Sequence, residues 1–240
     1  MSLCKDCITS VTHEGTPTGK WETIGTINCY DKVIIYLTDG FGPQLVNNRL
    51  LADDFAKNGF KTVIPDYLHG DPVPLNAEDP GSNFSVPDWL SRHGPEQTRP
   101  PVDKVIAALK EEGVTRFGAT GYCVGGRYVF DLSFDQAIQA SAISHPTFLD
   151  IPIDLEKYFS KSITPLLLNT CELDEWFPPS AAIKADEILG DGKFAPGYKR
   201  EYFEGCKHGF AVRGDMSKPY IKAAKEGAFK STVEWMRKYL

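Results

Sequence analysis

The pentapeptide Gly121-Tyr122-Cys123-Val124-Gly125 is the stretch whose residue types and spacing point most directly to covalent chemistry. A strand-like run, RFGATGY (116–122), climbs to Cys123, and a helical pattern, VGGRYVFDLSF (124–134), leaves it. A nucleophile on a tight strand-to-helix turn needs small neighbours, because a Cβ at either flank strikes the adjoining element. Gly121 and Gly125 meet that need, and Gly126 adds room. The helix N-terminus behind the sulfur favours thiolate over thiol through its unpaired N–H groups and positive dipole end. The plain alternative is a buried structural cysteine, since free cysteine is among the most buried residue types. The strand before and the helix after weigh for the nucleophile.

A thiol nucleophile needs a base, and the base needs a group to orient it. Two histidines follow Cys123 in the chain, His145 and His208. His208 comes directly after the strand-like KREYFEG (199–205), on a loop at a strand's carboxyl end, and is the candidate base. His145 precedes Pro146 and every candidate acid, and reads as structural or pocket-lining. The stretch LLLNTCELDEWFPP offers Glu172, Asp174 and Glu175. Asp174 falls three residues past the expected strand end, in a loop that Trp176, Phe177 and Pro178-Pro179 can pack rigidly. It is the candidate acid, with Glu172 and Glu175 read as solvated charges. The resulting order of nucleophile, acid and histidine is the one found where the nucleophile sits on a strand-to-helix elbow.

Alternating elements must position these residues. Strands are expected at 31–39, 61–66, 116–122, 139–145, 164–171 and 199–205. Helices are expected at 43–59, 101–113, 124–134 and 179–190, with a closing helix from about 218 to 240. This alternation calls for an α/β fold with a mostly parallel central sheet flanked by helices on both faces, in one domain spanning 1–240. Such sheets carry their chemistry at the carboxyl ends of the strands. The Gly/Pro-rich stretch 68–89 breaks the alternation and reads as a loop over a binding site, since long irregular insertions are usually functional.

Composition narrows the partners. A chain of 240 residues, 42% of them hydrophobic, can bury a sizeable core. Its net charge of -6 argues against nucleic acid or anionic membrane surfaces, because like charges repel. No apolar run approaches the roughly 20 residues that cross a bilayer, and the first residues lack a secretory apolar stretch. Six cysteines in a chain of this length read as free thiols in a reducing, cytoplasmic setting rather than a disulfide framework. No spacing suggests a zinc site, so no metal or other cofactor is expected.

At this point the chain resembles the dienelactone hydrolase family. The resemblance rests on DGFG (39–42), PDYLHGDP (65–72), GYCVGG (121–126), LDEWFPP (173–179) and HGF (208–210) taken together. It implies a single-domain α/β-hydrolase fold, a Cys-His-Asp triad, and hydrolysis of a small lactone or ester without a cofactor, the founding substrate being the enol lactone dienelactone. In bacterial members a glutamate accepts a hydrogen bond from the resting thiol and swings away when substrate binds. The matching position here is Asp39, a shorter acid, which makes it the candidate thiol gate. The same loop is expected to give one oxyanion donor, the N–H of Gly40 or Phe41, with the N–H of Val124 as the other. Arg213, five residues past His208, is the candidate anchor for a substrate carboxylate, with Arg92 or Arg99 as a possible second. Tyr67, Trp89, Tyr122, Phe41 and Phe210 are candidate apolar walls. The departures at Asp39 and Arg213, with the 68–89 insertion, resemble fungal-type relatives whose substrates often differ from dienelactone. The protein is expected to act as a monomer or homodimer.

Other classes stay open at this level. Cys123 could serve a redox or peroxide-sensing protein, with Cys171 or Cys206 as its partner. Cys4-x-x-Cys7 is superficially redox-like, but it lies in a terminus expected to fray, without a βαβ context. A carboxylesterase of different substrate class, or a non-catalytic binding module on the same scaffold, completes the set; an intact triad weighs against the latter.

Overall fold

Six short runs form the sheet, most of them largely apolar and the last, at its edge, alternating with polar residues. In the computed structural model, which describes residues 4–21 and 31–240, these are β1 (Lys32–Leu37), β2 (Lys61–Val63), β3 (Arg116–Tyr122), β4 (Ala140–Ser144), β5 (Leu166–Leu173) and β6 (Tyr198–Lys207). They pair in the order β2-β1-β3-β4-β5-β6, and every pairing is parallel. Residues 33–37 of β1 and 117–122 of β3 are buried on both faces, as the near-continuous apolar runs require.

The helices are α1 (Lys5–Ile8), α2 (Val46–Lys57), α3 (Val86–Arg92), α4 (Pro95–Glu111), α5 (Val124–Phe134), α6 (Ile153–Lys161), α7 (Pro179–Leu189), α8 (Phe210–Arg213) and α9 (Pro219–Tyr239). Strand alternation in β3 shows which face each covers. A Cβ on Gly118 would meet Met236 of α9 at 2.9 Å, whereas one on Gly121 would meet Val129 of α5 at 2.7 Å. Those positions are an odd number apart, so α9 and α5 lie on opposite faces. The chain has the parallel sheet covered on both faces that its alternating pattern requires, and the α/β-hydrolase fold that the resemblance implies.

Three expectations change. The helix expected at 101–113 begins six residues earlier at Pro95 and runs through Pro100 and Pro101. Pro101 has no N–H for the carbonyl of Gln97, and that carbonyl instead meets His69 Nε2 at 2.8 Å. The irregular stretch 68–89 ends in α3, where Ser85 accepts a hydrogen bond from the Asp88 N–H and Pro87 occupies the first turn. Helices α1, α3 and α8 span at most seven residues, too few to display a helical period, and α6 adds nine residues that the alternating pattern did not include.

The third change concerns the N-terminal segment, whose residues 11–19 are fastened to the domain rather than frayed. The Asn47 amide donates to the Val11 carbonyl at 2.8 Å and its oxygen accepts from the His13 N–H at 2.9 Å. Asp53 accepts from the amides of Thr18 and Gly19, and His13 Nε2 meets the Gly214 carbonyl at 2.8 Å. Side chains distant in sequence satisfy this backbone, which local composition cannot reveal.

Candidate active site

Strand β3 ends at Tyr122 and α5 begins at Val124, so Cys123 alone makes the turn. Its backbone sits at φ 52° and ψ -118°, a conformation that costs a non-glycine residue about 1–3 kcal/mol. Neighbours hold it there: Cys123 N–H donates to the Ser144 carbonyl at 3.2 Å, and its own carbonyl accepts from Gly126 and Thr147 N–H groups at 3.0 Å. A Cβ on Gly121 would lie 2.6 Å from the Gly125 oxygen, and one on Gly125 would lie 2.6 Å from the Thr38 oxygen and overlap that of Leu37. The small residues that the sequence places around Cys123 are therefore sterically required.

His208 follows β6, and its N–H donates to the Leu173 carbonyl at 3.1 Å. Its Nδ1 lies 3.0 Å from both carboxylate oxygens of Asp174. Strand β5 runs to Leu173, so Asp174 is the first residue past the strand rather than the third. Oδ1 of Asp174 also accepts from the Trp176 and Phe177 N–H groups at 2.9 and 3.1 Å, and Cys171 Sγ donates to Oδ2 at 3.7 Å. Glu172 accepts from the Gly205 N–H at 2.8 Å, bracing the end of β6 before His208, and Glu175 is exposed. The structure thus brings Cys123, Asp174 and His208 together from three strand ends, all three buried.

Burial opposes charge on each of them, yet the cluster's mutual interactions prevail. Desolvation works against the Cys123 thiolate, but the neighbouring Cys7 thiol and the charges of His208 and Arg213 hold its pKa well below the ordinary thiol value. Desolvation likewise works against the His208 imidazolium, and Cys123 and Asp174 outweigh it and raise the pKa. Asp174 is held below the usual carboxylate range: burial raises it, while the His208 charge and the loop N–H groups lower it further. The arrangement favours a thiolate–imidazolium pair with a carboxylate behind it.

His145 is fully buried and its ring stands edge-on to that of His208, centroids 4.9 Å apart. Burial first, then the charges of His208 and Arg213, push its pKa far below the usual value, so it stays neutral. Among the described residues neither of its ring nitrogens has a hydrogen-bond partner.

Asp39 does not stand free before the thiol. Its Oδ2 accepts from Arg213 Nε at 2.6 Å, and its Oδ1 accepts from Asn48 Nδ2 at 3.0 Å and the Phe41 N–H at 3.2 Å. Three partners hold the carboxylate that was expected to gate Cys123. Arg213, the expected substrate anchor, is equally engaged. Its Nη1 donates to the carbonyls of Asp6 (2.8 Å) and Thr9, and its guanidinium lies 4.9 Å over the Phe41 ring. Arg92 pairs with Asp71, and Arg99 with Asp103 and Asp135, all at the surface.

Tyr67 and Trp89 line a small pocket with Leu68, Val124, Tyr128 and Phe148. Tyr122 instead packs on Tyr36, centroids 5.0 Å apart, and Phe210 on Phe203 at 4.9 Å. Neither lines that pocket.

Two residues in the site were not anticipated. Thr147 Oγ1 is 4.0 Å from Cys123 Sγ. Cys7 is 1% exposed, and its Sγ, that of Cys123 and a His208 ring nitrogen all lie within 4.8 Å of one another. The thiol brought to Cys123 is thus Cys7, not Cys171, which bonds Asp174, nor Cys206 in β6. Cys29, the sixth cysteine, lies outside the described residues. The Cys4-x-x-Cys7 spacing was visible; the long-range contacts that carry it to the site were not.

The chain is similar to known proteins along most of its length. A family model described as the dienelactone hydrolase family matches residues 25–240. The chain is 36% identical over 244 residues to the hydrolase pyvD of Aspergillus violaceofuscus, covering 98% of this chain and 96% of that protein. It is 31% identical over 254 residues to dienlactone hydrolase 1 of Gibberella moniliformis, covering 98% and 92%. Among solved structures, one assigned as a dienelactone hydrolase from Klebsiella pneumoniae superposes with a TM-score of 0.67 at 17% identity, over 86% of this chain and 87% of that one. At that identity the structural likeness speaks for the fold alone. Among the described residues no helix is long and apolar enough to cross a membrane.

Proposed function

The chain belongs to the dienelactone hydrolase family of ester and lactone hydrolases, and from that membership we propose that it works through Cys123 as nucleophile, His208 as acid–base and Asp174 as orienting carboxylate. The observation that carries the reading is His208 held by Asp174 through Nδ1 at 3.0 Å, with its ring beside the Cys123 sulfur.

The steps follow from the geometry. The Cys123 thiolate attacks the carbonyl carbon, and the carbonyl π electrons move onto oxygen. We assign the oxyanion donors to the Gly40 and Val124 N–H groups, because the Phe41 N–H is engaged by Asp39. Collapse of the tetrahedral intermediate expels the leaving oxygen, which takes the proton of the His208 imidazolium. In a lactone that oxygen remains tethered to the resulting thioester. His208, now neutral, draws a proton from water, hydroxide adds to the thioester, and the acid departs as the thiolate is restored. Asp174 holds the tautomer with Nδ1–H toward itself throughout, which directs Nε2 to the chemistry.

The substrate is a small lactone or ester whose apolar part would enter beside Val124 between Tyr67, Trp89 and Phe148, where a cavity of about 10 Å³ must widen to admit it. Arg213, Arg92 and Arg99 each already pair with a carboxylate of the protein, and among the described residues Arg213 Nη2 alone of these guanidinium atoms is buried without a partner. Five free cysteines among the described residues fit a reducing cytoplasmic setting.

A panel of lactones, dienelactone included, and neutral aryl esters tests the reading with purified protein. Hydrolysis in the parent, its loss in Cys123→Ala and a thioester mass adduct on the Cys123 peptide are the expected results. Turnover that survives Cys123→Ala would move the chemistry elsewhere.

A further inference from the structure

We propose that Cys4, Cys7, Cys123 and His208 form a binding site for a zinc ion that ties up the nucleophile and holds the protein in a resting state. Three of the four donor atoms already converge, and the fourth adjoins one of them. Cys7 Sγ, Cys123 Sγ and a His208 ring nitrogen lie within 4.8 Å of one another, and Cys4 Sγ is 3.2 Å from Cys7 Sγ. Tetrahedral zinc with its usual bond lengths sets ligand atoms roughly 3.3–3.8 Å apart, so the Cys7, Cys123 and His208 donors need shift by only about 1 Å, and Cys4, one turn before Cys7, swings in to complete the set. Three thiolates and one imidazole are a closed donor set for zinc, with no position left for water or substrate. The metal would therefore block the site rather than act in it.

The surroundings support the same ligand. His208 Nδ1 is held by Asp174, while Nε2 is buried and, among the described residues, has no hydrogen-bond partner. A carboxylate on one ring nitrogen and an open second nitrogen is the usual support of a metal-binding histidine. The Cys4-x-x-Cys7 turn is not left to chance, because Arg213 Nη1 donates to the carbonyls of Asp6 and Thr9 on either side of Cys7. The same guanidinium lies buried near the thiols, where its charge offsets the net negative charge of a zinc tris-thiolate. Each thiol that binds releases its proton to solvent as the metal–sulfur bond forms. The site itself rests on this convergence; only its effect on turnover rests on the hydrolase reading above.

The test uses the full-length, reduced, metal-free protein. Titration with Co²⁺ should give one equivalent bound, with thiolate-to-metal charge-transfer bands and the visible bands of a four-coordinate ion, both bleached by Zn²⁺. Cys4→Ser and Cys7→Ser should each weaken binding by about 10-fold or more, and Cys206→Ser should leave it unchanged. Mass-spectrometric mapping of alkylation in the parent protein needs no variant to fold. Zn²⁺ should protect Cys4, Cys7 and Cys123 together and leave the reactivity of Cys206 as it was. Absence of the charge-transfer bands would overturn the site. So would Co²⁺ affinity untouched by both serine variants, since that leaves an ordinary cysteine–histidine dyad. Zinc should inhibit lactone hydrolysis over the same concentrations at which it displaces Co²⁺. Metal binding in a protein that hydrolyses no member of the panel would uphold the site and sink the hydrolase reading; hydrolysis without metal binding would do the reverse.

Discussion

The Arg213 guanidinium and the Asp39 carboxylate meet inside the protein, Nε to Oδ2 at 2.6 Å, with side chains 3% and 0% exposed. The pair joins the helix that follows His208 to the loop that leaves β1. Two residues expected to serve substrate and thiol are thereby bound to each other.

Asp39→Asn should leave the Arg213 charge buried without its counter-ion. Removing one partner of a buried pair costs about 3–5 kcal/mol. Denaturant unfolding measured on parent and variant reads this directly. A loss below about 1 kcal/mol would show that the pair contributes no more than one at the surface.

Asp174→Asn retains an oxygen to accept from the Trp176 and Phe177 N–H groups, so the loop should keep its shape. The amide can no longer hold the His208 tautomer. Turnover should fall by up to about 10⁴-fold with little change in melting temperature. Equal activity, joined with a large loss in Glu172→Gln, would transfer the orienting role to Glu172.

His208 is 4% exposed, so truncation to Ala would open a hole as well as remove a base. His208→Gln keeps most of the volume and should lower turnover by about 10²-fold or more. Turnover within about threefold of the parent would hand the base role to His145, whose ring centroid is 4.9 Å away.

Gly125→Ala tests the elbow itself. The added Cβ would overlap the Leu37 carbonyl oxygen, which belongs to β1 and cannot swing aside. Overpacking of this kind costs about 1–3 kcal/mol and shifts backbone. Thermal unfolding should drop, and Cys123 turnover should fall further than the stability loss alone explains. An unaffected variant would mean that α5 can retreat from the sheet.

The sequence by itself determined the sheet, its parallel strands and the trio of Cys123, Asp174 and His208. Each of these is written locally: apolar runs of strand length, glycines flanking one cysteine, and polar residues just past strand ends. Parallel pairing then carries those ends to one edge of the sheet without further instruction. What the tertiary structure alone decided is whom each charged or thiol group meets. Asp39 and Arg213 are 174 residues apart, Arg213 and Asp6 207. Nothing in the composition near Cys7 says that Arg213 and Asn47 will fasten its segment beside Cys123. A buried polar group takes the partner that the fold delivers, because an unmade hydrogen bond in the interior costs more than one made with any particular residue. Local spacing therefore fixes where Cys123 stands, and only the closed chain fixes which thiol, carboxylate and guanidinium stand around it.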